Sequence, residues 1–301
     1  MERIQAAIQK AKEQRSEVAP GAAQGPSQGA SAGASQGASQ GASQGATAPQ
    51  AALAAARQAR QGQAAPAAPV WGEIPAFEPD PHLMAKNRIV TFADADPAHS
   101  TFDMIRTKIL RVMRQNGWSS IGITSPTGGC GKTTACLNIA FSLAHQPDVR
   151  TVLIDLDLRR PAVAGLLGLT RPQSMASVLQ GTRPPAENFV RYGETLAIGT
   201  NTTGLRAASE ILLSPATTDG VAAIKAAFQP DVIIYDLPPM LQSDDVMAFL
   251  PHLDCVLLVA AAERSRLDEV DKCEQELSEQ TQVLGVVLNK CRYGGEDYGY
   301  Y

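Results

Sequence analysis

SPTGGCGKTT, at residues 125–134, is the stretch that decides the fold of this 301-residue chain. It follows an aliphatic run at 119–125 that predicts a strand, and it leads into an apolar helical pattern over about 132–145. A glycine-rich turn between a strand and a helix, ending in Lys-Thr, is typical of a phosphate-binding P-loop. Pro126 stands where the strict pattern has its first glycine. The segment therefore predicts a P-loop nucleotide-binding domain with one departure from the strict pattern.

The residues of this loop predict how a nucleoside triphosphate is held. Glycines let backbone N–H groups close around the phosphates, and the N-terminus of the following helix attracts the same anion. Lys132 is expected to reach the β- and γ-phosphates, and the Thr133 hydroxyl to ligate Mg²⁺. ATP and Mg²⁺ are the expected ligands. The predicted nucleotide-binding residues of the loop are Gly128, Gly129, Cys130, Gly131, Lys132, Thr133 and Thr134.

Three aspartates follow aliphatic strands further along the chain. Asp155 and Asp157 come at the end of a predicted strand at 150–157, and Asp236 ends another at 231–236. Open α/β sheets place their ligand crevice at the carboxyl ends of the strands. We therefore predict Lys132, Asp155, Asp157 and Asp236 as catalytic residues, and Thr133, Asp155 and Asp236 as metal ligands.

The C-terminus is unusually aromatic. YGGEDYGYY, at residues 293–301, contains four of the six tyrosines of the chain. Disordered ends are normally poor in aromatic residues, so this cluster needs a function. Beside a phosphoryl-transfer site, Tyr293, Tyr298, Tyr300 and Tyr301 are predicted phosphoacceptors. A tyrosine hydroxyl has a pKa of about 10 and needs a proton acceptor, for which the spacing leaves Asp155 and Asp157 equally placed.

The pattern along the chain predicts four segments. Residues 1–18 form an amphipathic helix, and 19–84 a low-complexity linker with an extended, proline-rich arm at 71–84. Residues 85–291 form the P-loop domain, and 292–301 a flexible tail. Within the domain, Asp96-Pro97 opens a helix that runs to about residue 115. Further strands at 254–262 and 283–289 read as continuous Val/Ile/Leu runs, so we expect a parallel sheet flanked by helices.

Composition and charge exclude several classes of partner and location. The net charge is −4 with no basic stripe, which argues against nucleic acid as a partner. Five cysteines without metal-ligand spacing favour reduced thiols. No apolar run approaches the roughly 20 residues that span a bilayer, and no signal peptide opens the chain. We expect a cytoplasmic protein that meets the inner face of the plasma membrane only through a partner.

Together these motifs resemble the bacterial tyrosine autokinases (BY-kinases) of capsule and exopolysaccharide export. SPTGGCGKTT is similar to the Walker A loop of that family, VLIDLDLRRP (152–161) to its Walker A′ motif and DVIIYDLPPM (231–240) to its Walker B strand. The resemblance implies a tyrosine kinase that phosphorylates its own tail and regulates polysaccharide polymerisation and export. It also implies a membrane-anchored polysaccharide co-polymerase as activator, a homo-oligomer, and Asn289 near the adenine.

One departure from the family concerns assembly. Its helix before the P-loop carries Glu-x-x-Arg-x-x-Arg-Thr, which is used to build rings. Arg106 and Thr107 match the end of that motif, but Ser100 and Asp103 replace the glutamate and the first arginine. The size of the oligomer therefore stays open.

Two other functions compete with the kinase. A partitioning or Min-type ATPase switch would carry a lysine early in its loop, where this chain has Thr127, and has no use for a tyrosine tail. A nucleotide-binding scaffold of the exporter would not need the intact Lys132 and its three aspartates. The sequence leaves both as alternatives.

Overall fold

The structure is a computed structural model and describes residues 70–92 and 98–291. The predicted N-terminal helix, the repetitive linker up to residue 69, the Asp96-Pro97 cap and the tyrosine-rich tail at 292–301 lie outside the described residues.

A seven-stranded sheet forms the centre of the described domain, in the order β3-β4-β2-β5-β1-β6-β7. Every neighbouring pair is parallel except β3 and β4, which are antiparallel. The expected α/β fold is thus confirmed, with an antiparallel edge that the sequence did not predict. Three residues separate β3 from β4, too few for a crossover, so the pair forms a hairpin. The strands are β1 (Ser120–Thr124), β2 (Thr151–Asp155), β3 (Phe189–Tyr192), β4 (Leu196–Gly199), β5 (Val232–Asp236), β6 (Cys255–Ala261) and β7 (Gln282–Asn289).

Helices cover both faces of this sheet. None of those in the described residues is both long and apolar enough to cross a bilayer. Their bounds are α1 (Pro81–Lys86), α2 (Ala98–Asn116), α3 (Lys132–Ala144), α4 (Val163–Leu167), α5 (Met175–Leu179), α6 (Ala208–Leu213), α7 (Pro215–Phe228), α8 (Asp245–Phe249) and α9 (Leu267–Ser278), with short 3₁₀ turns at Val70–Gly72, Val90–Phe92, Pro185–Asn188, Met240–Gln242 and Leu250–His252.

The sheet separates two apolar cores. Helices α2 and α3 pack on one face, and α5, α7, α8 and α9 pack on the other. Because alternate residues of a strand point to opposite faces and both faces are covered, all residues of β1, β2, β5 and β6 are buried. Most of these residues are apolar, and the polar ones stand at the strand ends. This double burial explains the continuous aliphatic runs in the sequence.

The proline-rich arm is a correction to the sequence analysis, because part of it is helical. Helix α1 starts with Pro81 at a position that needs no N–H donor, and the Asp80 carboxylate accepts a hydrogen bond from His82 N at 2.9 Å. The arm also packs on the domain: the Trp71 indole donates to Phe228 O at 2.8 Å. Proline frequency predicted an extended chain there, but proline in the first turn is compatible with a helix.

Candidate functional site: a P-loop cleft

The P-loop lies between β1 and α3, at the edge where the parallel strands β2, β5 and β6 also end. Gly129 and Gly131 have φ angles of 79° and 87°, in the left-handed region that favours glycine. A Cβ atom at Gly131 would collide with the side-chain amide of Asn289, and one at Gly129 would lie 2.6 Å from Arg264 Nη1. Both positions therefore require glycine, and α3 starts directly after them.

A cleft of about 340 Å³ opens above this loop. It is lined by Gly128, Gly129, Gly131 and residues 132–134 of the P-loop region, by Asp157 and Arg160 from the segment after β2, and by Gln242 and Ser243 from the segment after β5. The predicted phosphate-binding residues thus share one cavity with one of the predicted aspartates. Cys130 is the exception, because its thiol is buried and contacts Thr127 O at 3.2 Å and Ser265 Oγ at 3.4 Å.

The Lys132 ammonium sits between two carboxylates. Its Nζ lies 3.1 Å from Asp157 Oδ2, 3.2 Å from Asp236 Oδ1 and 3.3 Å from the Thr133 hydroxyl. Burial lowers the pKa of Lys132, but the charges of Asp236 and Asp157 outweigh it and raise the pKa, so the side chain stays cationic. The structure therefore brings Lys132, Thr133, Asp157 and Asp236 into one cluster, as the sequence predicted that they would meet.

Asp155 and Asp157 differ in what they face. Both oxygens of Asp155 accept backbone hydrogen bonds at 3.2 Å, Oδ1 from Asp157 N and Oδ2 from Ala162 N and Val163 N. Asp155 is completely buried and shapes the loop after β2. Asp157 lies two residues beyond the end of β2, within that loop, and lines the cleft. Of the two aspartates between which the spacing did not choose, Asp157 is the one that lines the cleft, and its role as proton acceptor stays a prediction.

The surroundings of Asp155 and Asp236 disfavour the charged form of their carboxyl groups. Burial and the neighbouring charge of Asp236 raise the pKa of Asp155. Burial likewise raises the pKa of Asp236, although Lys132 and a hydrogen bond from Thr133 act in the opposite direction. Asp236 Oδ2 is buried without a hydrogen-bond partner. Around Lys132 the described residues therefore place three carboxyls and an unsatisfied oxygen, a setting that favours the binding of further positive charge.

Asn289 lies at the end of β7 and touches the P-loop from its flank. Its amide nitrogen donates to Cys130 O at 3.0 Å, and Lys290 Nζ donates to Gly129 O at 2.8 Å. The predicted role of Asn289 near the adenine stays a prediction. What the structure adds is a bridge between the end of the last strand and the phosphate loop.

Arg159 lines the cleft and was not among the predicted site residues, nor was its partner Asp245. The Arg159 guanidinium forms two bonds to the fully buried Asp245 carboxylate, at 2.8 and 3.0 Å, and a third to Arg206 O at 2.8 Å. This pair ties the loop after β2 to α8. The double arginine of LDLRRP was a signal for Arg159, but nothing in the sequence around Asp245 marks it.

Ser243 is a second missed residue. It lines the cleft, and its hydroxyl is buried without a hydrogen-bond partner. Buried polar groups are normally satisfied by protein, water or ligand, so this cleft-lining hydroxyl is a candidate for a contact with ligand or water. Since the residue lies in a polar stretch after β5 with no motif around it, only its position in the fold identifies it.

In the described residues, no group of three or more His, Cys, Asp or Glu side chains is arranged to hold a metal ion. Mg²⁺ does not need such a cage, because it is usually bound by one or two carboxylates and by substrate phosphates. A glycine cradle, a buried lysine and strand-end carboxylates around one cleft define a P-loop nucleotide-binding protein.

Comparison with known proteins gives the family. Residues 121–297, more than half of the chain, match the CobQ/CobB/MinD/ParA nucleotide binding domain, and the chain belongs to that family. Among its relatives, the tyrosine-protein kinase wzc of Salmonella typhi is 28% identical over 68% of this chain, and the tyrosine-protein kinase CpsD of Streptococcus pneumoniae is 29% identical over 60%. The VpsO kinase domain superposes with a TM-score of 0.57 at 29% identity, covering 64% of this chain and 96% of that one.

These relatives differ in how much of them the chain covers. It spans 29% of wzc and 79% of CpsD, and under a third of the first relatives that it matches. Because these relatives are named tyrosine-protein kinases, the predicted resemblance to bacterial tyrosine kinases is confirmed.

Proposed function

We propose that this protein is an ATP-dependent protein-tyrosine autokinase that phosphorylates its C-terminal tyrosines. The observation that carries the proposal is the position of Asp157, which lines the P-loop cleft and contacts the P-loop lysine. The relatives are named tyrosine-protein kinases. The acceptors would be Tyr293, Tyr298, Tyr300 and Tyr301. The two remaining tyrosines lie in the folded part, where Tyr235 is fully buried and Tyr192 packs beside the core.

The cleft fits a Mg²⁺-bound nucleotide on three counts. The backbone of the P-loop can close on an anion only because Gly129 and Gly131 lack a Cβ. The surplus of carboxyls around Lys132 and the unpartnered oxygen of Asp236 fit a divalent cation. Thr133 would supply a hydroxyl ligand to that ion. When bound, Mg²⁺ would neutralise charge on the phosphates and so favour attack on the γ-phosphorus.

The residues of the chain would act as follows. Lys132 leaves its carboxylate partners and contacts the phosphates, which frees Asp157 Oδ2. Asp157 then accepts the proton of the tyrosine hydroxyl while the phenolic oxygen bonds to the γ-phosphorus and the bond from that phosphorus to the ADP oxygen breaks. The products are phosphotyrosine, ADP and a protonated Asp157. Arg159, bound to Asp245, keeps the loop that carries Asp157 in place.

The proposal extends to regulation and partners. Phosphorylation of the tail would cycle a polysaccharide polymerisation and export machine, with a membrane-anchored co-polymerase as activator and transfer between neighbouring copies of the chain. Assembly is expected to differ from the Glu-x-x-Arg-x-x-Arg ring. Asp103, which replaces the first arginine, binds Arg106 at 2.7 Å within the chain, and Arg106 also donates to Ser142 Oγ at 3.1 Å.

The test is to incubate the purified full chain with Mg²⁺-ATP, with and without the cytoplasmic segment of its activator, and to map phosphotyrosine. We expect phosphate on the tail. Lys132→Ala should abolish it, and a variant with all four tail tyrosines replaced by phenylalanine should keep ATP binding and lose the label. Absence of tail phosphotyrosine under both conditions would refute the kinase. Hydrolysis of ATP that persists without it would point to a switch ATPase.

A further inference from the structure

Arg160 stands apart from the other charged residues of the cleft. Lys132 is paired with Asp157, and Arg159 is paired with Asp245. Arg160 also lines the cleft and is exposed, yet its guanidinium has no hydrogen bond or ion pair to any described residue. Among the described lining residues it is therefore the cation whose charge the protein does not neutralise.

The backbone fixes Arg160 beside the proposed proton acceptor. Arg160 N donates to both the carbonyl and the side-chain Oδ1 of Asp157, each at 3.1 Å. The turn from Asp157 to Arg160 is thus closed by two hydrogen bonds, so the arginine starts at a defined place on the cleft wall. Any tyrosine whose hydroxyl reaches Asp157 brings its flanking residues close to this arginine.

The sequence of the tail contains a matching charge. Glu296 and Asp297 immediately precede Tyr298, whereas Tyr293, Tyr300 and Tyr301 have no acidic residue directly before them. An arginine forms strong, often two-pronged hydrogen bonds to a carboxylate, which gives both energy and direction.

We propose that Arg160 is a specificity-determining residue that binds a carboxylate one or two positions before the acceptor tyrosine. The preferred substrates are peptides of the type acidic-acidic-tyrosine, among them the tail of a second copy of this chain, and Tyr298 is modified first. This inference rests on the proposed kinase activity and adds its substrate class.

The test uses the full chain, Mg²⁺-ATP and two peptides with a single tyrosine, GGEDYGFF and its neutral counterpart GGQNYGFF. We expect kcat/KM for the acidic peptide to be about tenfold higher, mostly through a lower KM, as one charge-assisted hydrogen bond at a partly exposed site would give. Arg160→Gln should bring the ratio close to one. Arg171→Gln, at an exposed arginine outside the cleft lining, is the matched control and should keep the preference.

A second variant leaves the folded domain untouched. Glu296→Gln combined with Asp297→Asn in the full chain should slow labelling of Tyr298 by about the same factor and leave Tyr293 unchanged. In Arg160→Gln protein this tail variant should have no further effect, because the partner of the carboxylates is already gone.

The possible results distinguish a failure of this inference from a failure of the proposed kinase activity. An acidic preference that survives Arg160→Gln overturns the inference. So does an equal loss on both peptides with a raised KM for ATP, which would assign Arg160 to the nucleotide. Labelling of both peptides without preference by the unmodified protein refutes this inference and leaves the kinase standing. No phosphotyrosine on either peptide or on the tail refutes the proposed function, and the inference with it.

Discussion

Replacing Lys132 by methionine removes the cation that two carboxyls share and keeps much of the side-chain volume. Lys132 Nζ lies 3.1 Å from Asp157 Oδ2 and 3.2 Å from Asp236 Oδ1, and about a tenth of the side chain is exposed. The variant therefore leaves Asp236, which is fully buried, without its counter-ion. We expect a loss of folding stability as well as of nucleotide binding.

The magnitude follows from the geometry. At about 3 Å and an effective dielectric constant of about 20, each contact corresponds to roughly 5 kcal/mol of Coulomb energy before desolvation is subtracted. Removing one partner of a buried ion pair costs about 3–5 kcal/mol in measured cases. For a domain of this size that is a fall in Tm of at least about 6 °C.

The pH dependence is the sharper part of the prediction. Burial already raises the pKa of Asp236 and Lys132 lowers it, so losing Lys132 raises the pKa further. A carboxyl whose pKa is raised in the folded state takes up its proton there at a higher pH than in the unfolded state. Its unfavourable buried charge therefore disappears as the pH falls. The variant should thus be most destabilised near neutral pH, and its deficit should shrink as the pH falls toward the pKa of an aspartate in the unfolded chain, about 4.

Urea unfolding of the nucleotide-free protein across that pH range measures the effect. Lys132→Met combined with Asp236→Asn should recover most of the loss, because no charge is then left buried without a partner. A variant as stable as the unmodified protein near neutral pH would refute the reasoning, as would a deficit that does not shrink with falling pH.

Three further predictions concern the loop, the Arg159 anchor and the arm. Gly131→Ala should abolish nucleotide binding, measured by calorimetry, since φ of 87° costs an alanine about 1–2 kcal/mol and its Cβ meets a neighbouring side chain. Arg159→Ala should lower stability by about 2 kcal/mol in denaturant titration, by leaving the Asp245 charge buried, the loss being moderated because Arg159 is partly exposed. Trp71→Phe keeps a ring against the domain but loses the bond to Phe228 O, and should cost about 1 kcal/mol and speed proteolytic release of the arm; unchanged cleavage would contradict a docked arm.

Local pattern predicted most of the sheet and the loop. Strands β1, β2, β5, β6 and β7 were found within two residues of their ends. For β2, β5 and β6 the signal was the aliphatic run of a strand buried on both faces. Strand β7 carries a similar run although it lies at the edge of the sheet and is only partly buried. The short strands β3 and β4 were not found. Their four residues each carry too little periodicity, and their pairing depends on the hairpin that joins them.

Helix α1 was also missed, because its formation depends on contacts that the local sequence pattern does not show. Its prolines indicated an extended arm, whereas the Asp80 cap and the burial of Met84 against the core under α2 and α3 stabilise about one and a half helical turns. Such a short helix is marginal alone and depends on tertiary packing, which composition does not report.

The sequence by itself determined that a phosphate-binding loop lies between a buried strand and a helix, because glycines, a lysine and a threonine at fixed spacing serve backbone geometry that is local. It also placed the acidic residues Glu296 and Asp297 before Tyr298. Only the tertiary structure decided that Asp157 faces the cleft while backbone N–H groups bind Asp155. Likewise, only the structure showed that, within residues 70–92 and 98–291, the Arg159 guanidinium has a carboxylate partner and that of Arg160 has none. Those distinctions depend on partners far away in the chain, and spacing carries no information about which of two neighbouring side chains such partners will bind.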